Sequence, residues 1–509
     1  MAISTIENID MATYNALSGY IGRKVMIEIV GRQLEQSILG EVLNSNEAEF
    51  VALYGRRRIG KTYLIKSYFT NAKPSIFFHM TGLKDGSVKA QLEIFGDTLR
   101  ETFNINIANP TTWMKAFAML TESTKQYSVN QKIIIFLDEL PWMASPRSRL
   151  LQALDHFWNT KWLYNNNLKI IVCGSAASWM LDNIVNAKGG LHNRLTRRIN
   201  LQPFTLIEAK EYLSYRGVKL NNDQILELYM AIGGVPHYLK EIKPGLSAQQ
   251  IISKICFSHG SLLLTEYDNL LASLFKHSAI YEEILAILAK HPGGIDKKII
   301  AQRATKSTLG GRLSKRLDEL ESAGFIKKFI PYGNTSKDSY YKLIDEYTIF
   351  YLKWIAPHRS DIDNMDDLIW EQLCLTSGYK SWSGYAFEAL CYKHIKLIKK
   401  AMQLERISSK SGTWRYVPSR GSLNKGAQID LIFDRIDKVM SLCEIKYTTD
   451  HFNFDKKVYQ ELQRKQAVFQ EQTKCNKQIF WCMITTLPIK RNSYYDAIVL
   501  QNVAVSDLF

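Results

Sequence analysis

The apolar positions fall into three different rhythms along the chain. Residues 50–54 (FVALY), 133–137 (IIIFL) and 169–173 (KIIVC) are short apolar runs without polar alternation. That pattern predicts strands buried on both faces, as in a parallel sheet. Between 278 and 345 the rhythm becomes helical. Ile280, Ile284, Leu285 and Leu288 share one face up to a Pro292-Gly293-Gly294 stop, IDKKIIAQRA gives a second helix, and Leu313, Leu317 and Leu320 line a third. KKFIPYGNTSKDSYYKLI then alternates across a Gly-Asn turn and predicts a hairpin. After residue 380, GYAFEALCYKHIKLIKKA predicts an amphipathic helix. Two strands follow: GAQIDLIFD, where Ile429, Leu431 and Phe433 alternate with Asp430 and Ile432, and VMSLCEIKY beyond a DRIDK turn.

At 509 residues the chain exceeds what a single core holds. The patterns divide it at 1–200, 201–270, 271–355 and 356–509, the last boundary softened by a helix with an acidic start, DIDNMDDLIW. Hydrophobic content of 46% and charged content of 22% exclude broad disorder. A formal net charge of +16 favours a polyanionic partner, nucleic acid before a membrane surface, or else a chain with Lys-rich solvated helices. The seven cysteines are scattered and unpaired in sequence, which points to a reducing, cytoplasmic compartment and away from zinc. The first residues lack the basic start and apolar stretch of a signal peptide, and no apolar run approaches the roughly 20 residues of a membrane span.

The first apolar run leads straight into GRRRIGKT, and YLIKSYF follows with Leu64, Ile65 and Tyr68 at helical spacing. Strand, glycine loop and helix in this order form the phosphate-binding P-loop. Gly55 and Gly60 let the backbone N–H groups of the loop, with Arg56, Arg57, Arg58 and Ile59 between them, curl around phosphate oxygens. Lys61 reaches the outer phosphates, and the Thr62 hydroxyl is placed for Mg²⁺. Asp138 and Glu139 end the second apolar strand, where open α/β sheets carry ligand chemistry. Asp138 would hold the Mg²⁺ of ATP and Glu139 would polarise the attacking water. Ser175, after the third strand, is either a polar sensor of the γ-phosphate or the cap of the next helix. Among Arg194, Arg197 and Arg198, Arg194 is the first candidate for an arginine on the γ-phosphate, with a solvated or structural arginine as its alternative.

These motifs, with Gly31-Arg32 and Glu35 before them and GSAASWM (174–180) and GGVPHYL (233–239) after, resemble the archaeal-type ATPases of the AAA+/STAND group. The resemblance covers about 29–240. It implies that Gly31 and Arg32 lie near the adenine and that Gly234 and Pro236 belong to a helical lid touching the base. Three helices and a hairpin over 278–345, with Arg312, Lys315 and Arg316 on the third helix, give a winged-helix pattern that either enters DNA or serves as a lid.

The C-terminal strands carry a second constellation. Glu444 and Lys446 are two apart and share a sheet face, Asp430 comes beside them across the hairpin, and Glu388 approaches from the helix. Such carboxylates are costly together unless a cation pairs them, and Mg²⁺ or Mn²⁺ suits Asp430, Glu444 and Glu388, with Lys446 beside the reacting group. The alternative is an ordinary surface ion pair. By type and order these residues resemble the PD-(D/E)XK nucleases, although Ile429 stands where proline often precedes the aspartate. In that resemblance Lys456, Lys457 and Gln466 would contact a nucleic-acid backbone. The expected fold is α/β: a P-loop parallel sheet with a helical lid, a winged helix and a C-terminal restriction-endonuclease-like domain. The expected function is an ATPase coupled to metal-dependent cleavage or binding of DNA. The rivals are an ATP-switched regulator and a STAND-type scaffold that assembles as a homo-oligomer, each with a non-catalytic C-terminal domain.

Overall fold

The computed structural model describes residues 28–128, 130–186, 191, 193–304, 311–333, 339–363, 369–418 and 425–509. The readings made on the N-terminal 27 residues, on the tip of the hairpin after Gly333 and on part of DIDNMDDLIW lie outside these. Contacts divide the chain into two compact units. One holds Met1–Leu53, Lys61–Cys173 and Lys188–Ile199; the other holds Tyr54–Gly60, Gly174–Ala187 and Asn200–Phe509.

The apolar runs become strands β1 (Glu49–Tyr54), β3 (Ile133–Asp138) and β4 (Leu168–Gly174), joined by β2 (Ile76–Thr81) and β5 (Arg197–Asn200). Their order is β2-β3-β4-β1-β5, with β2, β3 and β4 paired in parallel. Every residue of β3 and β4 is buried, which explains the absence of polar alternation. Even Lys169 in β4 is buried, with its ammonium donating to the backbone carbonyls of Ser45 and Asn166 at 3.1 Å. This is a P-loop NTPase-like α/β fold.

In the second unit a helical segment (Leu206–Tyr215, Asn222–Ile232, Pro236–Leu239, Ala248–Ile252, Leu262–Leu274) precedes helices Ser278–Ala289, Lys297–Arg303 and Gly311–Ser322. Leu313, Leu317 and Leu320 are fully buried, as their spacing requires. Strands β6 (Ile295–Asp296), β7 (Ile326–Phe329) and β8 (Tyr340–Leu343) form a small antiparallel sheet in the order β6-β8-β7. The C-terminal sheet is mixed, with strands β9 (Ser409–Tyr416), β10 (Ala427–Arg435), β11 (Val439–Lys446), β12 (Gln478–Thr485) and β13 (Val499–Ala504) in the order β13-β12-β11-β10-β9. β9, β10 and β11 pair antiparallel, and β11, β12 and β13 pair parallel. One continuous core runs from Phe204 to Leu508 through the helices of 206–274, the three-helix segment and one face of the C-terminal sheet.

Strict alternation along β10 would put Ile429, Leu431 and Phe433 on one face. Instead Leu431 and Phe433 join the large core, while Ile429 and Ile432 pack on the other face with Leu442, Leu462 and Trp481. A register shift against β9 between Ile429 and Ile432 causes the change, because a bulge adds a residue and re-aims the side chains beyond it. Asp430 sits in that bulge.

Candidate functional site

The P-loop begins where β1 ends. Gly55 has φ of +146°, and a Cβ there would lie 2.3 Å from the Leu201 carbonyl oxygen, so no larger residue fits. Lys61 and Thr62 open the helix Lys61–Ala72, and the N–H groups of such a helix start suit an anion. The Thr62 hydroxyl donates to Asp138 Oδ2 at 2.7 Å, and Asp138 is almost fully buried. Hydroxyl and carboxylate thus meet as two hard oxygens at the helix start, a donor set suited to Mg²⁺. Glu139 follows in the left-handed region with φ of 50°, a conformation that costs a non-glycine residue about 1 kcal/mol or more. It occupies the N-cap position of the short helix Leu140–Met143.

Two neighbours of Asp138 escaped the sequence reading. His79 Nε2 lies 4.0 Å from Asp138 Oδ2. Burial, then the nearby Lys66, lowers its pKa to about 4 against the pull of Asp138, so the imidazole is neutral at pH 7. The Cys173 thiol is also close to Asp138 and Lys61, and burial pushes its pKa well up. A histidine inside IFFHMT and a cysteine inside IIVCGS read as core residues; only their place at the ends of β2 and β4, next to β3, could have marked them.

Gly31 and Arg32 have φ of 64° and 59° and stand at the N-terminus of the helix Gln33–Asn44, where Gln36 donates to the Gly31 carbonyl at 2.7 Å. Ser175 is buried, and Ala176 occupies the N-cap position of the helix Ala177–Met180. Arg194 is exposed and forms no ion pair among the described residues, whereas Arg197 reaches Glu41 at 3.7 Å. Pro236 starts the helix Pro236–Leu239. Gly234 accepts a hydrogen bond from Phe204 N at 2.7 Å, and a Cβ on it would lie 1.9 Å from the Phe204 carbonyl oxygen.

The loop arginines part company. Arg57 is exposed. The Arg56 guanidinium is buried against Asp345 and lies 5.3 Å from the centre of the Phe325 ring. The Arg58 guanidinium pairs with Glu266, which also accepts from the Tyr238 hydroxyl at 2.9 Å. The side chains of Arg56 and Arg58 are therefore engaged by carboxylates.

In the C-terminal sheet Leu431 pairs with Cys443, so Asp430 and Glu444 come opposite one another on β10 and β11. Asp430 Oδ2 accepts from Ile445 N at 3.0 Å, and Oδ1 accepts from Gln428 at 3.2 Å. Burial, then the charges of Glu444 and Glu388, raise the Asp430 pKa to about 7. Lys446 donates to Glu444 Oε1 at 2.8 Å, and Lys465 from the helix Lys456–Thr473 donates to both Glu444 oxygens at 2.8 and 2.7 Å. Glu388 accepts from Lys342 at 2.8 Å and from the Tyr392 hydroxyl, which also approaches the Asp430 carbonyl at 2.8 Å. Asp430, Glu444 and Lys446 are brought together as the spacing predicts, and Glu388 is held by its own lysine. Among the described residues no group of three His, Cys, Asp or Glu side chains is close enough to hold a metal ion. Lys456 and Lys457 are exposed, while Gln466 accepts from Trp481 Nε1 at 2.9 Å and is committed to the fold.

A glycine loop leading into a helix whose first hydroxyl meets a strand-end aspartate defines a P-loop NTPase. Residues 29–242 match the family model of an ATPase domain found predominantly in Archaea, and residues 351–464 match a family of archaeal and bacterial proteins of unknown function. The chain thus joins an archaeal-type P-loop ATPase domain to a C-terminal domain of that second family. An uncharacterized protein of Methanocaldococcus jannaschii is 27% identical over 451 residues, covering 86% of this chain and 91% of that protein. An uncharacterized ATP-binding protein of the same organism is 44% identical over 48 residues, 9% of this chain and 81% of that protein. Among solved structures, a Walker-type ATPase of Pyrococcus abyssi aligns at 19% identity and a TM-score of 0.45, covering 64% of this chain and 96% of that one. The Aeropyrum pernix ORC2 protein aligns at 16% identity and a TM-score of 0.42, covering 70% and 98%. No helix among the described residues is long and apolar enough to cross a membrane.

Proposed function

We propose that this chain couples ATP binding and hydrolysis to metal-dependent cleavage of DNA. Lys61 and the loop backbone bind the phosphates, Thr62 and Asp138 would hold Mg²⁺, Glu139 orients the attacking water, and Ser175 and Arg194 attend the γ-phosphate. The segment 278–345 serves as a winged helix, offering exposed Arg312 and Lys315 to a phosphate backbone. The observation that carries the cleavage reading is the meeting of Asp430 with Glu444 across β10 and β11, two residues before Lys446 on the same face. A divalent cation there would supply charge neutralisation and an acidic bound water. Asp430 and Glu444 would hold it, and Lys446 would steady the negative charge of the phosphodiester. Cleavage should depend on Mg²⁺ or Mn²⁺, stop on chelation, disappear in Glu444→Ala and change rate in Lys61→Ala. Cutting that survives Glu444→Ala in purified protein sinks the assignment.

The lysines favour a second reading. Lys446 and Lys465 already neutralise Glu444, and Lys342 neutralises Glu388, which suits a fold kept for binding and switched by ATP. ATP binding without cleavage under either metal selects that regulator, and assembly on adding ATP selects a scaffold.

A further inference from the structure

The ATPase family segment ends at residue 242 and the second family segment starts at 351, yet two carboxylates outside both reach into the P-loop. Asp345 takes the Arg56 guanidinium and Glu266 takes that of Arg58. Asp345 is a prepared acceptor. It caps the helix Glu346–Phe350, accepting from Thr348 N at 3.0 Å and the Thr348 hydroxyl at 2.7 Å. Burial works against its charge, but Arg56, Lys393 and Thr348 hold its pKa below the usual carboxylate value. Glu266 is tied to Tyr238 in the GGVPHYL motif. The loop residues 54–60 accordingly pack with the unit that contains both carboxylates.

We infer that Asp345 and Glu266 are positioning residues of the ATPase: by holding Arg56 and Arg58 they set the backbone of residues 55–60 that receives the phosphates. A P-loop binds through backbone N–H groups, so its affinity depends on the loop being held in the binding shape beforehand. Buried ion pairs add little to stability over apolar residues of similar size, and removing one partner is far costlier than removing both. A test must therefore separate positioning from folding.

The full chain carries Arg56→Met with Asp345→Asn, a pair that removes both charges of the ion pair together and keeps a helix cap, since asparagine caps as well as aspartate. Arg58→Gln with Glu266→Gln is the second, more exposed pair. Affinity for a fluorescent ATP analogue, kcat and KM for ATP hydrolysis, and Tm are read for each. The expected result is a rise of about tenfold in KM and in the dissociation constant for the Arg56/Asp345 pair, the scale of one lost charge-assisted contact, with Tm near wild type. A smaller rise is expected for the Arg58/Glu266 pair. Wild-type KM and affinity in whichever folded pair is obtained overturn the inference, and a fall in Tm alone does the same. The affinity measurement decides the matter even if turnover is too slow to follow, and Lys61→Ala shows separately whether binding uses the P-loop.

Discussion

His394 should make the large core acid-sensitive by an amount its surroundings define. The ring is buried, Nδ1 lies 2.9 Å from the Leu390 carbonyl oxygen, and Nε2 accepts from Leu206 N at 3.2 Å. Only the neutral tautomer with hydrogen on Nδ1 satisfies both contacts; a second proton would set two N–H groups against each other. Burial lowers the His394 pKa from 6.5 to about 4, the Leu390 carbonyl opposes, Lys393 assists and Glu208 opposes weakly. As pH falls through 6.5 the unfolded chain takes up the proton first, so stability present above 6.5 is lost progressively down to 4. The full loss is about 3 kcal/mol, and about 2.5 kcal/mol of it has gone by pH 4.5. His394→Gln keeps one donor and one acceptor but cannot be protonated. Urea midpoints followed by circular dichroism from pH 7.5 to 4.5 should fall more steeply for wild type than for this variant, since every other titrating group is common to both. Parallel profiles would refute the reasoning, whatever the variant's stability at neutral pH.

Three further outcomes test the sites. Thr62→Val conserves shape but removes the hydroxyl 2.7 Å from Asp138, and kcat for ATP hydrolysis at saturating magnesium nucleotide should fall by roughly a hundredfold with the fold intact. Gly234→Ala forces a methyl 1.9 Å from the Phe204 carbonyl oxygen and should destabilise the second unit by about 2–3 kcal/mol in urea. Lys465→Met strips one ammonium from Glu444, and calorimetric titration with Mg²⁺ in the absence of nucleotide should show C-terminal binding at least about tenfold tighter than wild type; unchanged binding would argue against a cation site at Asp430 and Glu444.

Local chemistry made much of this legible. β1, β3 and β4 follow from apolar runs that only a sheet covered on both faces explains, and the P-loop is a contiguous string whose backbone geometry its glycines dictate. The hairpin joining Asp430 to Glu444 followed from a period of two and a short polar turn. What stayed hidden is long-range pairing among equivalent charges. Nothing in RRR shows that the first arginine will travel to a carboxylate 289 residues on, the third to one 208 residues on, and the second to solvent. Likewise Lys465 is one basic residue among several on a helix, and only the packing of that helix on the face of Glu444 selects it over Lys456 and Lys457. The bulge at Asp430 was unreadable for another reason: with both sheet faces covered, Ile432 is buried whichever way it points.

The selected pairings converge on one short stretch of chain. Lys342 in β8 binds Glu388, Asp345 receives Arg56, and Glu346 binds Lys393, so three ion pairs issue from five consecutive residues. Two of these pairs end on the helix Ser377–Lys393, which also presents Tyr392 to the Asp430 carbonyl, and the third ends on the P-loop. Glu346 is buried, and burial raises its pKa despite Lys393, while Gly233 at the start of GGVPHYL leaves room for its carboxylate, since a Cβ there would lie 2.8 Å from Oε2. Packed ionic groups of this kind cannot deform gradually, because each must keep a partner or bear the cost of an uncompensated charge. If nucleotide shifts Arg56, the segment 342–346 must either resist, which tightens the P-loop, or move, which carries Lys342 and Lys393 with it and disturbs the setting of Glu388. A link of this kind between ATP and the C-terminal carboxylates requires a difference in ATP affinity between the two arrangements.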